Sequence, residues 1–173
     1  MNVTICSRKR AEELLRNGFP PHAAVISFYD PPSRQRPTPV PLPNYDGKAA
    51  RVFSVAVHDL DLTALPDVGL TYDTYLPEAD ALAAFIYQAR ADGLHILCQC
   101  EYGQSRSAAC AAAILEYFDG TGISIFADYR YYPNQVVYHK IIDALIRRGA
   151  PTSSNAQRRN KWPVATQKNF TIT

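Results

Sequence analysis

Short apolar runs and amphipathic stretches alternate along the first 148 residues of the chain. The apolar runs lie at residues 3–6, 22–28, 51–57 and 94–98, and each has the length and the β-branched or aliphatic content of a strand. The second run stops at Asp30-Pro31-Pro32, where proline removes the donors that a sheet ladder needs. These four runs are the predicted strands.

Helical spacing of apolar residues, or a concentration of strong helix formers, marks most of the segments between the strands. Ser7 is placed to cap a first helix, which ends at Asn17-Gly18. Residues 60–76 are predicted to be irregular because they carry proline, glycine and several aspartates. Further helices are predicted at residues 77–91, 108–118 and 136–148. Residues 123–132 are predicted to form another helix, or a helix with an irregular end.

Strands that alternate with helices in this way are typical of the α/β class. We predict one domain over residues 1–150, with a central, mainly parallel sheet of four or five strands and helices on both faces. Residues 31–47 are crowded with prolines and turn formers, which predicts an extended surface loop. Residues 151–173 are polar and aperiodic, which predicts a mobile C-terminal tail.

Composition narrows the function only slightly. The 173 residues carry 18 Lys and Arg against 16 Asp and Glu, a net charge of +2, so we expect neither a nucleic-acid nor a membrane partner. No stretch approaches the roughly 20 apolar residues of a membrane helix, and residues 1–6 lack the apolar region of a secretory signal. We therefore expect a cytoplasmic protein, whose four cysteines remain free thiols.

One segment carries a chemical pattern. Residues 100–107 read Cys-Glu-Tyr-Gly-Gln-Ser-Arg-Ser, or C-x-x-G-x-x-R-S, between the last predicted strand and an alanine-rich helix. A loop wound around the start of a helix turns its backbone N–H groups inward and, with the helix dipole, forms a nest for an anion such as phosphate. The predicted phosphate-binding residues are Glu101, Tyr102, Gly103, Gln104, Ser105 and Arg106.

The defined positions of the pattern suit chemistry at phosphorus. Arg106 can offer two parallel N–H donors to two phosphate oxygens, and its positive field favours the thiolate form of Cys100. That thiolate can attack phosphorus in line and form a phosphocysteine, which water later removes. Gly103 permits a tight turn, and Ser107 can hydrogen-bond the sulfur and assist its departure. The alternative is that Cys100 only fills the core as a small apolar residue.

This loop resembles the signature of the protein tyrosine phosphatase superfamily, H-C-x-x-G-x-x-R-[ST] between a strand and a helix. The order of elements over residues 1–148 is most similar to that of the dual-specificity branch and its small bacterial relatives, although only residues 100–107 are specific. Residues 57–59 and 133–138 look similar to two further features of small bacterial members, an Asp-containing strand end and an Asn-Pro-Asn-Val-Tyr-like run. The resemblance implies a phosphomonoester hydrolase that needs no metal and no cofactor.

The family supplies the proton for the leaving group from an aspartate upstream of the cysteine. The resemblance points first to Asp59, because it follows a predicted strand, and then to Asp61. Asp67 and Asp73 lie in the same irregular segment. An ordinary Asp that ends a strand and caps a turn is the alternative for Asp59. The implied catalytic residues are Cys100, Arg106, Ser107 and Asp59.

The chain departs from the family immediately before the proposed nucleophile, where Gln99 stands in place of histidine. An amide can donate hydrogen bonds but cannot carry charge. Two hypotheses therefore remain, an active phosphatase and a phosphate- or phosphoprotein-binding module that has lost catalysis. The loop holds Glu101 and no lysine, which disfavours a polyanionic inositol phosphate, so we expect a phosphorylated protein or an aryl phosphate as substrate.

Overall fold

Four parallel strands form the central sheet of the protein. The computed structural model describes residues 1–32, 37–38 and 41–150, so the predicted tail at 151–173 lies outside the described residues. The strands lie in the order β1-β4-β2-β3 and are β1 (Val3–Ser7), β2 (Ala23–Tyr29), β3 (Arg51–Ala56) and β4 (His95–Cys100). All three pairings are parallel, which confirms the predicted α/β class and sheet.

Helices cover both faces of this sheet, as predicted. One face is covered by α1 (Arg8–Asn17), which Ser7 caps by accepting a hydrogen bond from the Arg10 N–H. The other face is covered by α2 (Ala79–Ala91), α3 (Arg106–Asp119) and α5 (Gln135–Gly149), and the single turn α4 (Ile123–Phe126) connects α3 to α5. None of the helices in the described part of the chain is long and apolar enough to cross a bilayer.

Strand side chains divide the core into two parts because successive residues of a strand face opposite sides of the sheet. Ile26 and Cys98 belong to the larger part, under α2, α3 and α5, where Ile141 is also fully buried. Val25 and Leu97 belong to the smaller part, under α1. Both faces of β2 and β4 are therefore apolar, which explains why the sequence shows these strands as continuous apolar runs.

The structure adds detail to two predicted segments. Residues Leu62–Val68 form a 3₁₀ helix inside the segment that was predicted to be irregular. Of the two alternatives for residues 123–132, the helix with an irregular end is confirmed: α4 stops at Phe126, and the Asp128 carboxylate then accepts from both the backbone N–H and the guanidinium of Arg130. Such a local bond from side chain to backbone competes with the hydrogen bonds of a continuing helix.

The proline-rich segment is not wholly a surface loop, as the described part of residues 31–47 shows. Tyr45 is buried on the α1 face, and its ring lies 5.8 Å from the ring of Phe19. Its hydroxyl donates to the side-chain oxygen of Gln99 at 3.4 Å. Burial raises the pKa of Tyr45, so the hydroxyl stays protonated as a donor. The segment is therefore anchored to β4 next to Cys100.

We predict that the α5 contribution to the core can be measured with one matched pair of variants. Ile141→Ala removes a fully buried side chain and should lower the free energy of unfolding by about 2–5 kcal/mol. Ile146→Ala, on the same helix but 54% exposed, should change it by less than about 1 kcal/mol. Urea denaturation checks both values, and equal losses would contradict the assignment of the buried face.

Candidate functional site

The carboxyl ends of the four parallel strands meet at one edge of the sheet, which is where α/β folds place their ligands. β4 runs two residues further than predicted and ends at Cys100. Residues 101–105 form a bent loop, and α3 begins at Arg106. Asp30 follows β2 and Asp59 lies shortly after β3, so both aspartates reach the same edge.

Cys100 is only 2% exposed, and its sulfur takes part in two hydrogen bonds. The Gly103 N–H donates to Sγ at 3.3 Å, and the Ser107 hydroxyl lies 3.0 Å from Sγ. Both partners come from the loop or the first turn of α3. A sulfur that accepts such donors is suited to carry negative charge.

The backbone carbonyl oxygens and the backbone amides of the loop differ in their hydrogen bonding. Its carbonyl oxygens accept from neighbouring segments: that of Glu101 accepts from the Arg8 N–H at 3.2 Å, and that of Gln104 accepts from the Tyr132 N–H at 2.9 Å. Within the described residues, no acceptor is recorded for four loop amides, those of Glu101, Tyr102, Gln104 and Ser105. Amides without an acceptor in the protein are available to donate to a bound oxyanion.

Gly103 fixes the loop against the first strand. Its φ of +71° is a left-handed conformation that glycine adopts without strain. A Cβ built on Gly103 would lie 2.5 Å from the Ser7 nitrogen and 2.7 Å from the Cys6 carbonyl carbon. Only a residue without a side chain permits this approach of backbone to backbone.

Arg106 brings a buried positive charge to the site, since its side chain is only 3% exposed. Its Nη1 donates to the Asp30 carboxylate at 2.6 Å and to the Val57 carbonyl at 2.8 Å. Its Nε is buried and has no hydrogen-bond partner among the described residues. A buried donor without an acceptor is costly, so this atom is available to donate to a ligand such as an oxyanion.

Asp59 connects the arginine to the loop and to α5. Its Oδ1 accepts from the Ser105 hydroxyl at 2.6 Å and from the Asn134 amide at 2.9 Å, and its Oδ2 lies 3.6 Å from Nε of Arg106. Asn134 also caps α5 by accepting from the Val137 N–H. Asp59 is therefore held within reach of the guanidinium, beyond the role of an ordinary strand-end residue.

Asp61, the second candidate acid, lies differently. It is exposed and lines an open groove of about 770 Å³ beside the loop. Ser105 and Asn134 also line this groove, and its wall includes the aromatic side chains of Tyr72, Phe126, Tyr131 and Tyr132. Asp67 and Asp73 are exposed and are not among the residues that line the groove.

Gln99 is buried, and its side chain is bound on the α1 face of the sheet. Its Oε1 accepts from the Ser27 hydroxyl at 2.6 Å and from Tyr45. Because successive strand residues point to opposite faces, this side chain lies on the other side of β4 from Cys100. The departure from histidine thus changes the support behind the loop, not the groups that face its interior.

The other thiols occupy different environments. Burial is the main cause that raises the pKa of Cys6 to about 12. A hydrogen bond with Cys110, together with burial, raises the pKa of Cys98. Both residues therefore remain neutral thiols in the core. Within the described part of the chain, no cluster of three or more His, Cys, Asp or Glu residues is arranged to hold a metal ion.

Sequence reasoning singled out the loop at residues 100–107 but missed two polar partners of its neighbours. Asn134 was singled out only as part of a family-like run, and its bond to Asp59 became visible only in three dimensions. Asp30 was interpreted as the end of a strand, whereas it forms an ion pair with Arg106. The sole signal in the sequence is its position directly after a predicted buried strand, at the edge where the loop lies.

The fold is similar to that of solved phosphatase structures. A mouse putative dual specificity phosphatase complexed with zinc tungstate is 21% identical, with 90% of this chain and 86% of that chain covered and a TM-score of 0.51. Human DUSP28 is 20% identical, with 84% and 92% covered and a TM-score of 0.50. A human tyrosine phosphatase-like serine/threonine/tyrosine-interacting protein is 15% identical, with 86% and 94% covered and a TM-score of 0.55.

No protein-family model matches the chain, and no curated protein sequence matches it. At these levels of identity the structural likeness is one of fold. The chain has the fold of the dual-specificity phosphatases, as the loop at residues 100–107 led us to expect.

We predict that Gly103→Ala disrupts the loop. The new Cβ would overlap the backbone of β1, so the variant should lose at least about 2 kcal/mol more stability than a glycine replacement that only strains φ. Gly69→Ala is the matched control, because Gly69 has a φ of +73° and open space around its Cβ position. Urea denaturation of both variants checks the difference, and equal losses would show that the close approach is unimportant.

Proposed function

We propose that this protein is a cysteine-dependent phosphomonoester hydrolase of the protein tyrosine phosphatase superfamily, similar to the dual-specificity branch. One observation carries the proposal. The sulfur of Cys100 accepts a hydrogen bond from the Gly103 N–H of the loop that follows it. At the end of this loop lies Arg106, whose buried Nε has no hydrogen-bond partner among the described residues. The fold likeness supports a phosphatase-like activity but does not by itself assign the chemistry.

The loop first binds the phosphate of the substrate. Its free amides and the guanidinium supply donors to the nonbridging oxygens, and charge-assisted donors of this kind are the strong ones. The mouse neighbour was solved with zinc tungstate, and tungstate is a tetrahedral oxyanion like phosphate. We propose that residues 101–106 of this chain take such an oxyanion above Cys100.

The thiolate of Cys100 then attacks phosphorus. The Sγ–P bond forms while the bond from phosphorus to the ester oxygen breaks, and the departing oxygen takes a proton from an aspartic acid. Water next attacks phosphorus, gives its proton to the same carboxylate, and the Sγ–P bond breaks. Ser107, 3.0 Å from the sulfur, can donate to it as negative charge returns. Free phosphate and the thiolate are regenerated without any redox change.

Asp59 is the proposed acid and base. Its Oδ2 lies 3.6 Å from the Arg106 Nε, so it adjoins the volume that a bound phosphate would occupy. Asp61 is exposed and faces the neighbouring groove. The hydroxyl of Ser105 and the amide of Asn134 fix the orientation of the Asp59 carboxylate.

The proposed substrates are phosphorylated proteins or aryl phosphates. The only charged side chain of the loop besides Arg106 is Glu101, which is exposed and lies 3.5 Å from the Arg8 guanidinium. A loop without lysine, whose one carboxylate is paired with Arg8, gives no added attraction for a polyanionic inositol phosphate. The tyrosine and phenylalanine side chains in the wall of the groove beside Ser105 suit an aromatic or peptide leaving group.

A phosphate-binding module without turnover is the second candidate function. Gln99 favours it, because the amide replaces the histidine of the family and is bound to Ser27 and Tyr45 behind the loop. One structural neighbour is itself described as a phosphatase-like interacting protein. One assay distinguishes the two functions, because a binding module would bind tungstate but hydrolyse no aryl phosphate at any pH from about 5 to 8.

We predict that Cys100→Ser abolishes turnover while binding remains. Hydrolysis of p-nitrophenyl phosphate should fall by about a thousandfold or more because serine is a far weaker nucleophile at neutral pH. Tungstate affinity, measured by titration calorimetry, should change by less than about threefold because the loop donors are retained. Cys6→Ala, a buried thiol on β1, is the control and should keep turnover. Full turnover in Cys100→Ser would refute the mechanism.

We predict that Asp59→Asn slows the hydrolysis of esters with poor leaving groups more than that of esters with good ones. Loss of the acid should reduce kcat for phenyl phosphate by about a hundredfold, and that for p-nitrophenyl phosphate by less, because nitrophenolate departs without a proton. Asp61→Asn serves as the matched control and should keep both rates within about threefold. If Asp61→Asn instead shows the loss that depends on the leaving group, Asp61 is the acid.

A further inference from the structure

Asp30 makes the shortest contact of the Arg106 guanidinium, although nothing in the phosphate-binding pattern includes it. Its Oδ1 lies 2.6 Å from Nη1, and the same nitrogen donates to the Val57 carbonyl at 2.8 Å. Asp30 follows β2, and Val57 follows β3. The far end of the guanidinium is therefore tied to the ends of two strands that neighbour each other.

The bonds at Nη1 decide which edge of the guanidinium remains for a ligand. A guanidinium has five N–H donors in one plane, and the Nε–H and one Nη2–H point in parallel from one edge. Both hydrogen bonds of Arg106 among the described residues leave from Nη1. Among the described residues the edge formed by Nε and Nη2 makes no hydrogen bond, although Oδ2 of Asp59 lies 3.6 Å from Nε. This edge has the spacing that matches two oxygens of a phosphate.

We propose that Asp30 is a positioning residue, which holds Arg106 with its Nε–Nη2 edge presented to the phosphate. This inference rests on the proposed function and adds a residue to its machinery. The Asp30 side chain is 52% exposed, so it contributes little to the core. Its measurable effect should therefore fall on oxyanion binding and not on the stability of the fold.

A carboxylate at this place also acts against oxyanion binding, because it repels a phosphate dianion and competes for the same arginine. The geometry favours positioning, since Asp30 occupies Nη1, which the parallel edge does not use. The two effects predict opposite signs for the change in oxyanion affinity when the carboxylate is removed.

The test compares Asp30→Ala and Asp30→Asn with the wild-type protein. Asp30→Ala removes the acceptor and should weaken tungstate binding, and raise KM for p-nitrophenyl phosphate, by about tenfold, with kcat changed by less than about threefold. Asp30→Asn keeps an oxygen acceptor for Nη1 and should restore affinity to within about threefold of wild type. Thermal unfolding should be the same for all three proteins.

Asp92→Ala is the matched control, since Asp92 forms a surface ion pair with Arg51 at 2.8 Å where β3 and β4 begin, at the opposite edge of the sheet from the loop. It should leave tungstate affinity and KM unchanged. Unchanged affinity in Asp30→Ala, or tighter binding in both Asp30 variants, would overturn the positioning role. If wild-type protein binds tungstate but hydrolyses no ester, the proposed hydrolase fails while the comparison of affinities still tests Asp30.

Discussion

The buried charge of Arg106 is the constraint on which the rest of the site depends. A guanidinium that is 3% exposed is expensive to keep away from water unless acceptors surround it. Asp30 and Val57 bind one nitrogen and Asp59 approaches another, yet Nε has no hydrogen bond within the described chain. The fold thus holds a buried positive group whose Nε lacks a hydrogen bond among the described residues, and this is the physical basis for proposing an oxyanion site.

Every strand of the sheet contributes to holding that site. β4 lies between β1 and β2, so the loop after it is surrounded by the ends of its neighbours. β1 supplies the backbone on which Gly103 rests, β2 leads to Asp30, and β3 leads to Val57 and Asp59. α5 adds Asn134, which joins Asp59 to the helix cap. A change in any of these elements is therefore expected to affect the loop.

The sequence predicted the strands and the long helices because their apolar spacing reports burial directly. It also predicted the loop, since Cys100, Gly103 and Arg106 lie at fixed offsets within one short segment. It did not predict Asp30 as a partner of Arg106, because 76 residues separate the two and no local pattern encodes their ion pair. The sequence left open where α4 ends for a different reason: the Asp128 side chain competes with the helix, and apolar periodicity does not show such a bond.

A crystal structure of the protein soaked with tungstate tests most directly whether residues 100–106 form an oxyanion site. We predict one oxyanion above the Cys100 sulfur, with two of its oxygens on the Nε and Nη2 edge of Arg106 and the amides of residues 101–106 directed toward it. A structure in which the oxyanion binds elsewhere, or in which those amides point outward while Arg106 stays closed on its aspartates, would contradict it.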